Sequence, residues 1–109
     1  MGLVIKRFDV FLVTLNPTVG TEIRKTRPCL IISPDEINDY LSTVIIAPMT
    51  RTRKSYPVRV NCIFENKPGA IALDQMRAID KKRCRKNLGT IDPNTRSAVL
   101  TTLAELFAA

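Results

Sequence analysis

Histidine and tryptophan are both missing from the 109-residue sequence. Without histidine, a His-ligated metal centre, a Ser-His-Asp triad and a two-histidine nuclease are all excluded. Cysteine is scarce: Cys29, Cys62 and Cys84 stand far apart with no CxxC pair. Neither a disulfide framework nor a zinc site is therefore expected, and the three read as small buried hydrophobes. No apolar run approaches the roughly 18 residues of a spanning helix. The opening MGLVIKRFDV has neither the apolar core nor the small-residue cleavage site of a signal peptide, so a cytoplasmic protein without a membrane segment is expected. Gly, Ser or Gln tracts and internal repeats are absent too, which removes the case for linkers or disorder.

What is present is basic and apolar. Lys and Arg number 17 against 10 acids, a formal net charge of +7, and 45% of the residues are hydrophobic. A chain of this length fits one domain, residues 1–109. Its charge suggests a polyanionic partner, because clustered Lys and Arg that neutralise phosphates release counterions.

Short strands dominate the pattern. FDVFLVTL, from Phe8 to Leu15, is apolar on both faces, and NPTVG breaks it. Residues 16 to 27 then read as a loop leading to a second strand from Cys29 to Ser33. Ser33 before PDE has the form of an N-cap, opening a short helix that ends by Tyr40. A third apolar run spans Thr43 to Met49. PVRVNCIF, from Pro57 to Phe64, alternates with Val58, Val60, Cys62 and Phe64 inward. A turn at Asn66 to Gly69, a strand AIALDQ, a basic turn or short helix DKKRCRK and a brief strand NLGTI follow. Asp92 and Pro93 can open a closing helix whose stripe is Val99, Leu100, Leu103, Leu106 and Phe107. Five or six strands and one packed helix imply a small, bent antiparallel sheet or barrel, SH3-like or OB-like, with functional side chains on its loops.

The basic residues fall into three clusters: Arg24, Lys25 and Arg27; Arg51, Arg53 and Lys54; and Arg77, Lys81, Lys82, Arg83, Arg85 and Lys86. The first two could line a groove that follows a phosphate backbone, or could simply be solvated loops. Arg27 stands immediately before Pro28, which restricts it to an extended backbone and so helps to aim its side chain.

The stretch NPTVGTEIRKTRPCLIIS resembles the first loop of the MazF/PemK toxin family, approximately DPTxGxEQxxxRPxLIxS, through Asn16, Pro17, Thr18, Gly20, Glu22, Arg27 and Pro28. VIIAPMTRTRKSYPVRV is similar to the family's second signature, an apolar strand ending in Thr before a basic loop and a YP pair. ALDQMRAIDKKR looks like the third, DQxRxID. The three run in order along nearly the whole chain. The resemblance implies an SH3-like small barrel with a carboxy-terminal α-helix, of the CcdB/MazF-like kind, assembled as a homodimer. It further implies a sequence-specific endoribonuclease that cuts single-stranded RNA without metal or other cofactor, leaves 2′,3′-cyclic phosphate and 5′-hydroxyl ends, and is neutralised by an acidic antitoxin.

Carried over by position, the catalytic arginine falls on Arg27 and the catalytic threonine on Thr50. A guanidinium suits the first role, since it can engage two phosphoryl oxygens as negative charge builds on them. Glu22 is the candidate proton acceptor or, alternatively, the ion-pair partner that orients Arg27. Thr18, Arg24, Lys25, Arg51, Arg53 and Lys54 are candidates for RNA binding, and Tyr56 is the best-placed aromatic platform for a base. Some PemK relatives use an acid at the DQ motif with an arginine two residues before it. Ala72 occupies that position here, so Asp74, Gln75 and Arg77 are assigned to shaping the RNA groove, with structural hydrogen bonding as the competing role. Two other readings share this outline: a CcdB-like inhibitor of DNA gyrase, and a noncatalytic SH3-like RNA-binding module.

Overall fold

The computed structural model describes residues 3–16, 19–22, 25–52 and 56–109. Seven strands and two helices follow in the order β1 (Asp9–Thr14), β2 (Thr26–Ile31), α1 (Asp35–Tyr40), β3 (Thr43–Thr50), β4 (Arg59–Phe64), β5 (Lys67–Ala72), β6 (Arg77–Asp80), β7 (Cys84–Thr90) and α2 (Pro93–Leu106), with single 3-10 turns before β6 and β7. The strands are antiparallel and ordered β4-β5-β3-β2-β1-β7, while β6 also pairs with β3. This is the expected small, bent β architecture with a closing helix.

Strand β3 is the hinge of the sheet. Along one edge it pairs with β6 as far as Ile46 and with β5 from Met49 onward. Pro48 falls between those two partners, where its missing N–H removes no ladder bond on that side. The switch lets the sheet curl and gives it two apolar clusters. One gathers Phe11, Val13, Cys29, Ile31, Val44 and Ile46; the other joins Val10, Leu30, Met49, Val60, Ile71 and Leu73 to Val99 of α2. Fully burying each such side chain contributes about 1.5–3 kcal/mol. Most apolar strand residues are thus hidden within the chain, Ile63 of β4 being an exposed exception.

Several expectations need correcting. Strand β2 begins at Thr26, so Arg27 and Pro28 lie inside it, opposite Val13 and Leu12 of β1. The first β2–β3 pair is Cys29 with Pro48, so Pro28 costs no bond to β3. Ser33 is not a helix cap: its hydroxyl bonds the buried Asn38 carboxamide and accepts from the Ile45 N–H at 3.0 Å, tying α1 to β3 instead. The β4–β5 turn is Glu65–Asn66, both at positive φ (52° and 63°), so Gly69 belongs to β5. Residues 73–75 form a 3-10 turn rather than strand, and Arg77–Asp80, of which the sequence reading places only Asp80, in the basic turn, is strand β6. Helix α2 opens as expected, with Asp92 accepting from the Thr95 N–H at 3.2 Å, but Leu100, Leu106 and Phe107 of its stripe are exposed.

Candidate active site

Register brings the site together. The β2–β3 pairs are Cys29 with Pro48, Leu30 with Ala47 and Ile31 with Ile46. Continued two residues outward, the same register sets Arg27 across from Thr50. On its other side Thr50 pairs with Ala70, which in turn faces Asn61 of β4. Beyond this row β2 and β3 run out, while the β4–β5 hairpin continues to its turn at Glu65–Asn66. At about 3.3 Å per residue, the three positions from Asn61 to Phe64 carry the hairpin some 10 Å past the row.

The projecting hairpin makes one wall of a cleft of roughly 380 Å³. Arg27 and Pro28 from β2, Thr50 with Arg51 and Thr52 after it, and Phe64, Glu65, Lys67 and Pro68 from the hairpin all line this cleft. Gly69 sets how closely the two sides meet, because a Cβ built on it would collide with the Thr50 carbonyl oxygen. The Thr50 hydroxyl accepts from the Thr52 N–H at 3.2 Å, which fixes the oxygen at the strand end. Arg27 is half-buried and Arg51 exposed. Among the described residues no hydrogen bond or ion pair engages the side chains of Arg51, Lys67 or Glu65.

The other sequence candidates sit elsewhere or have other work. Glu22 is exposed, and its carboxylate accepts from the Val19 N–H within its own turn; it is not among the residues lining the cleft. Lys25, at φ 71°, closes the neck of the first loop, where its carbonyl accepts from Leu15 N and its N–H donates to the Asn16 side chain. Asp74 forms a two-point pair with Arg59 (3.1 and 3.2 Å), and the Arg59 guanidinium lies 5.0 Å from the Tyr56 ring centroid. Gln75 is half-buried in the 3-10 turn. Arg77 donates to the Leu15 carbonyl at 3.1 Å. Thr18, Arg24, Arg53 and Lys54 lie outside the described residues.

The densest basic run is largely spent on the end of β1 and on α1. Arg83 donates to the Asn16 carbonyl at 2.8 Å and the Thr14 carbonyl at 3.5 Å, Arg85 to the Thr14 hydroxyl at 3.1 Å, and Lys81 to the Asn38 carbonyl. With Arg77, these arginines staple the end of β1, from which the chain departs toward Arg27. The run's own spacing in the sequence gave no sign of this, since the acceptors lie more than sixty positions away.

Burial favours the neutral form of two of the thiols. Burial first, and then the neighbouring Cys84, push the Cys29 thiol up to about 12, although the Arg27 and Arg77 charges pull the other way. Burial and Asp80 push Cys84 up to about 11. All three cysteines are buried and reduced. Among the described residues no group of His, Cys, Asp or Glu could hold a metal ion, and no helix is long and apolar enough to cross a membrane.

Comparison with known proteins agrees with this outline over nearly the whole length. The sequence model for PemK-like, MazF-like toxins of type II toxin–antitoxin systems matches residues 6–107. Among solved structures, MazF from Deinococcus radiodurans superposes with a TM-score of 0.85 at 23% identity, covering 98% of this chain and 99% of that one. An endoribonuclease from a mycobacterial species gives 0.78 at 22% identity over 96% and 92% of the two chains. A mycobacterial endoribonuclease in complex with its cognate antitoxin gives 0.79 at 24% identity over 93% and 92%. Likeness at these identities establishes the shared fold.

Proposed function

The chain belongs to the PemK-like, MazF-like toxin family of type II toxin–antitoxin systems, and from that premise we propose that it is a sequence-specific, metal-independent endoribonuclease acting on single-stranded RNA. The observation that carries this reading is the cleft in which Arg27 and Thr50, on facing strand ends, meet a projecting hairpin.

The ribose 2′-oxygen attacks the adjacent phosphorus while the bond from phosphorus to the 5′-oxygen breaks. A 2′,3′-cyclic phosphate and, once the leaving oxygen takes up a proton, a 5′-hydroxyl result. Negative charge grows on the non-bridging oxygens, and the Arg27 guanidinium offers them a rigid planar fork of donors. The Thr50 hydroxyl can donate to the same phosphate while accepting from Thr52. Arg51, uncommitted among the described residues, supplies attraction to the flanking phosphates. Glu22 remains the candidate acceptor for the 2′-hydroxyl proton, which requires its loop to close over the cleft from its own turn.

A cognate acidic antitoxin would occupy the same basic cleft, as suits a disordered acidic segment facing a phosphate-binding surface. A homodimer, as the family resemblance implies, and a cytoplasmic location complete the proposal. The test is incubation of purified protein with a long RNA in excess EDTA, followed by mapping of the new ends. Discrete fragments with cyclic phosphates are expected. Retention of RNA without cutting would favour a binding module, and neither outcome would favour a gyrase inhibitor.

A further inference from the structure

We propose that Glu65 reads a nucleobase of the substrate through its hydrogen-bond donor edge, with guanine the preferred base. This rests on the RNA-cleaving reading above and assigns to the hairpin wall the part of sequence recognition that the phosphate contacts cannot supply.

Three observations carry it. The first is charge: Glu65 is the acid in a cleft lining that otherwise carries Arg27, Arg51 and Lys67. A carboxylate there opposes phosphate binding, so affinity for the RNA backbone does not explain it. The second is commitment: among the described residues no hydrogen bond or ion pair engages the Glu65 carboxylate, which is exposed. The third is local cost. Glu65 holds φ 52° at the first position of a two-residue hairpin turn, where Asn, Asp or Gly are the residues that adopt this conformation readily. Asn66 beside it obeys that preference and Glu65 does not. Departures from local preference cluster at functional positions.

Chemistry then narrows the ligand. An ionised carboxylate can only accept hydrogen bonds. Guanine presents two adjacent donors, N1–H and the N2 amino group, that match its two oxygens. Uracil offers a single N3–H between two carbonyl oxygens that repel the carboxylate. Position argues for reading a base rather than moving the 2′-hydroxyl proton. The turn stands some 10 Å along the hairpin from the Arg27–Thr50 row, whereas proton transfer needs heavy atoms about 3 Å apart. Along the hairpin between them, Phe64 and Pro68 line the cleft and offer a base apolar faces to rest on.

The test compares wild type with Glu65→Gln, which keeps the turn's backbone demand but replaces one acceptor by a donor. Both are given a randomised RNA in EDTA, and the new 5′-hydroxyl ends are sequenced. Wild type is expected to enrich guanine at one position beside the cut. E65Q should lose that enrichment about ten- to a hundredfold and shift toward adenine or uracil, whose edges pair a donor with an acceptor. Lys67→Gln should weaken cutting at all sites alike and keep the guanine preference, which separates base reading from general disturbance of the hairpin. Identical base preferences in wild type and E65Q, or cutting by wild type without guanine enrichment, overturn the assignment. Binding is read in parallel on 2′-O-methyl oligonucleotides, which cannot cyclise. A guanine-over-uracil preference there that E65Q abolishes upholds base reading even if no RNA is cut, in which case it is the nuclease reading that fails. No such preference in wild-type binding counts against Glu65 whatever the cleavage result.

Discussion

Two basic regions of this molecule differ sharply in what their charges do. Between positions 81 and 86 the chain carries five cations in six residues, yet Lys81, Arg83 and Arg85 are spent on carbonyl and hydroxyl oxygens of Asn38, Thr14 and Asn16. The cleft at the open end of β2 and β3 is lined by fewer, but the side-chain charges of Arg51 and Lys67 there have no partner among the described residues. Charge density along a sequence is thus a poor guide to a phosphate site; what counts is whether the donors are already satisfied. The dense run works at one remove, because the end of β1 that it staples leads into the strand bearing Arg27.

That contrast can be broken or sharpened by substitution. The largest effect is expected at Arg27→Ala, which should lower RNA cleavage at least about a hundredfold, with the folded circular dichroism spectrum retained. Gly69→Ala comes next. The added Cβ must push against the Thr50 backbone, so urea titration should record a loss of about 1–3 kcal/mol, together with a fall in activity. A paired comparison follows. Arg83→Ala should cost about 1 kcal/mol of stability and leave the salt dependence of RNA binding nearly unaltered, whereas Arg51→Ala should spare stability and reduce the slope of log affinity against log salt by about 1. A reversal of that pattern would assign RNA contact to the dense run.

The smallest effect concerns α2. Hydrogen bonds from Thr95, side chain first and then backbone, hold the Asp92 carboxyl below its ordinary value. A group whose folded pKa is lowered contributes stability that is present above its unfolded pKa and is lost as pH falls through the folded one. The melting temperature of wild type should therefore exceed that of Asp92→Asn at neutral pH. The gap should close in acid, below the usual carboxylate range.

Legibility in the sequence followed how local the physics is. The start of α2 was readable, because an Asp before a Pro at the first helical position is a local device. The strands with continuous apolar runs, β1 and β3, were equally plain. By contrast β6, with the sequence RAID, buries a single residue, Ile79, and its identity as a strand comes from pairing with β3. The first half of β2 escaped notice because Thr26, Arg27 and Pro28 have no strand signature and are extended by β1 beside them. Arg27 and Thr50 could be singled out, since their motif is contiguous. The hairpin wall could not. Glu65–Asn66 marks a turn in the sequence, but only the Thr50–Ala70 pairing brings that turn to the cleft. Leu100, Leu106 and Phe107 show the converse, a helical stripe whose outer members find no sheet to cover.

The most direct test of the cleft as the seat of RNA chemistry is to bind a single-stranded 2′-O-methyl RNA and map the backbone amide shifts that it perturbs. The account predicts the largest changes at Arg27, Thr50, Arg51 and Gly69, with Lys82 and Lys86 little affected. Perturbations concentrated along residues 81–86, with the cleft amides unmoved, would contradict it.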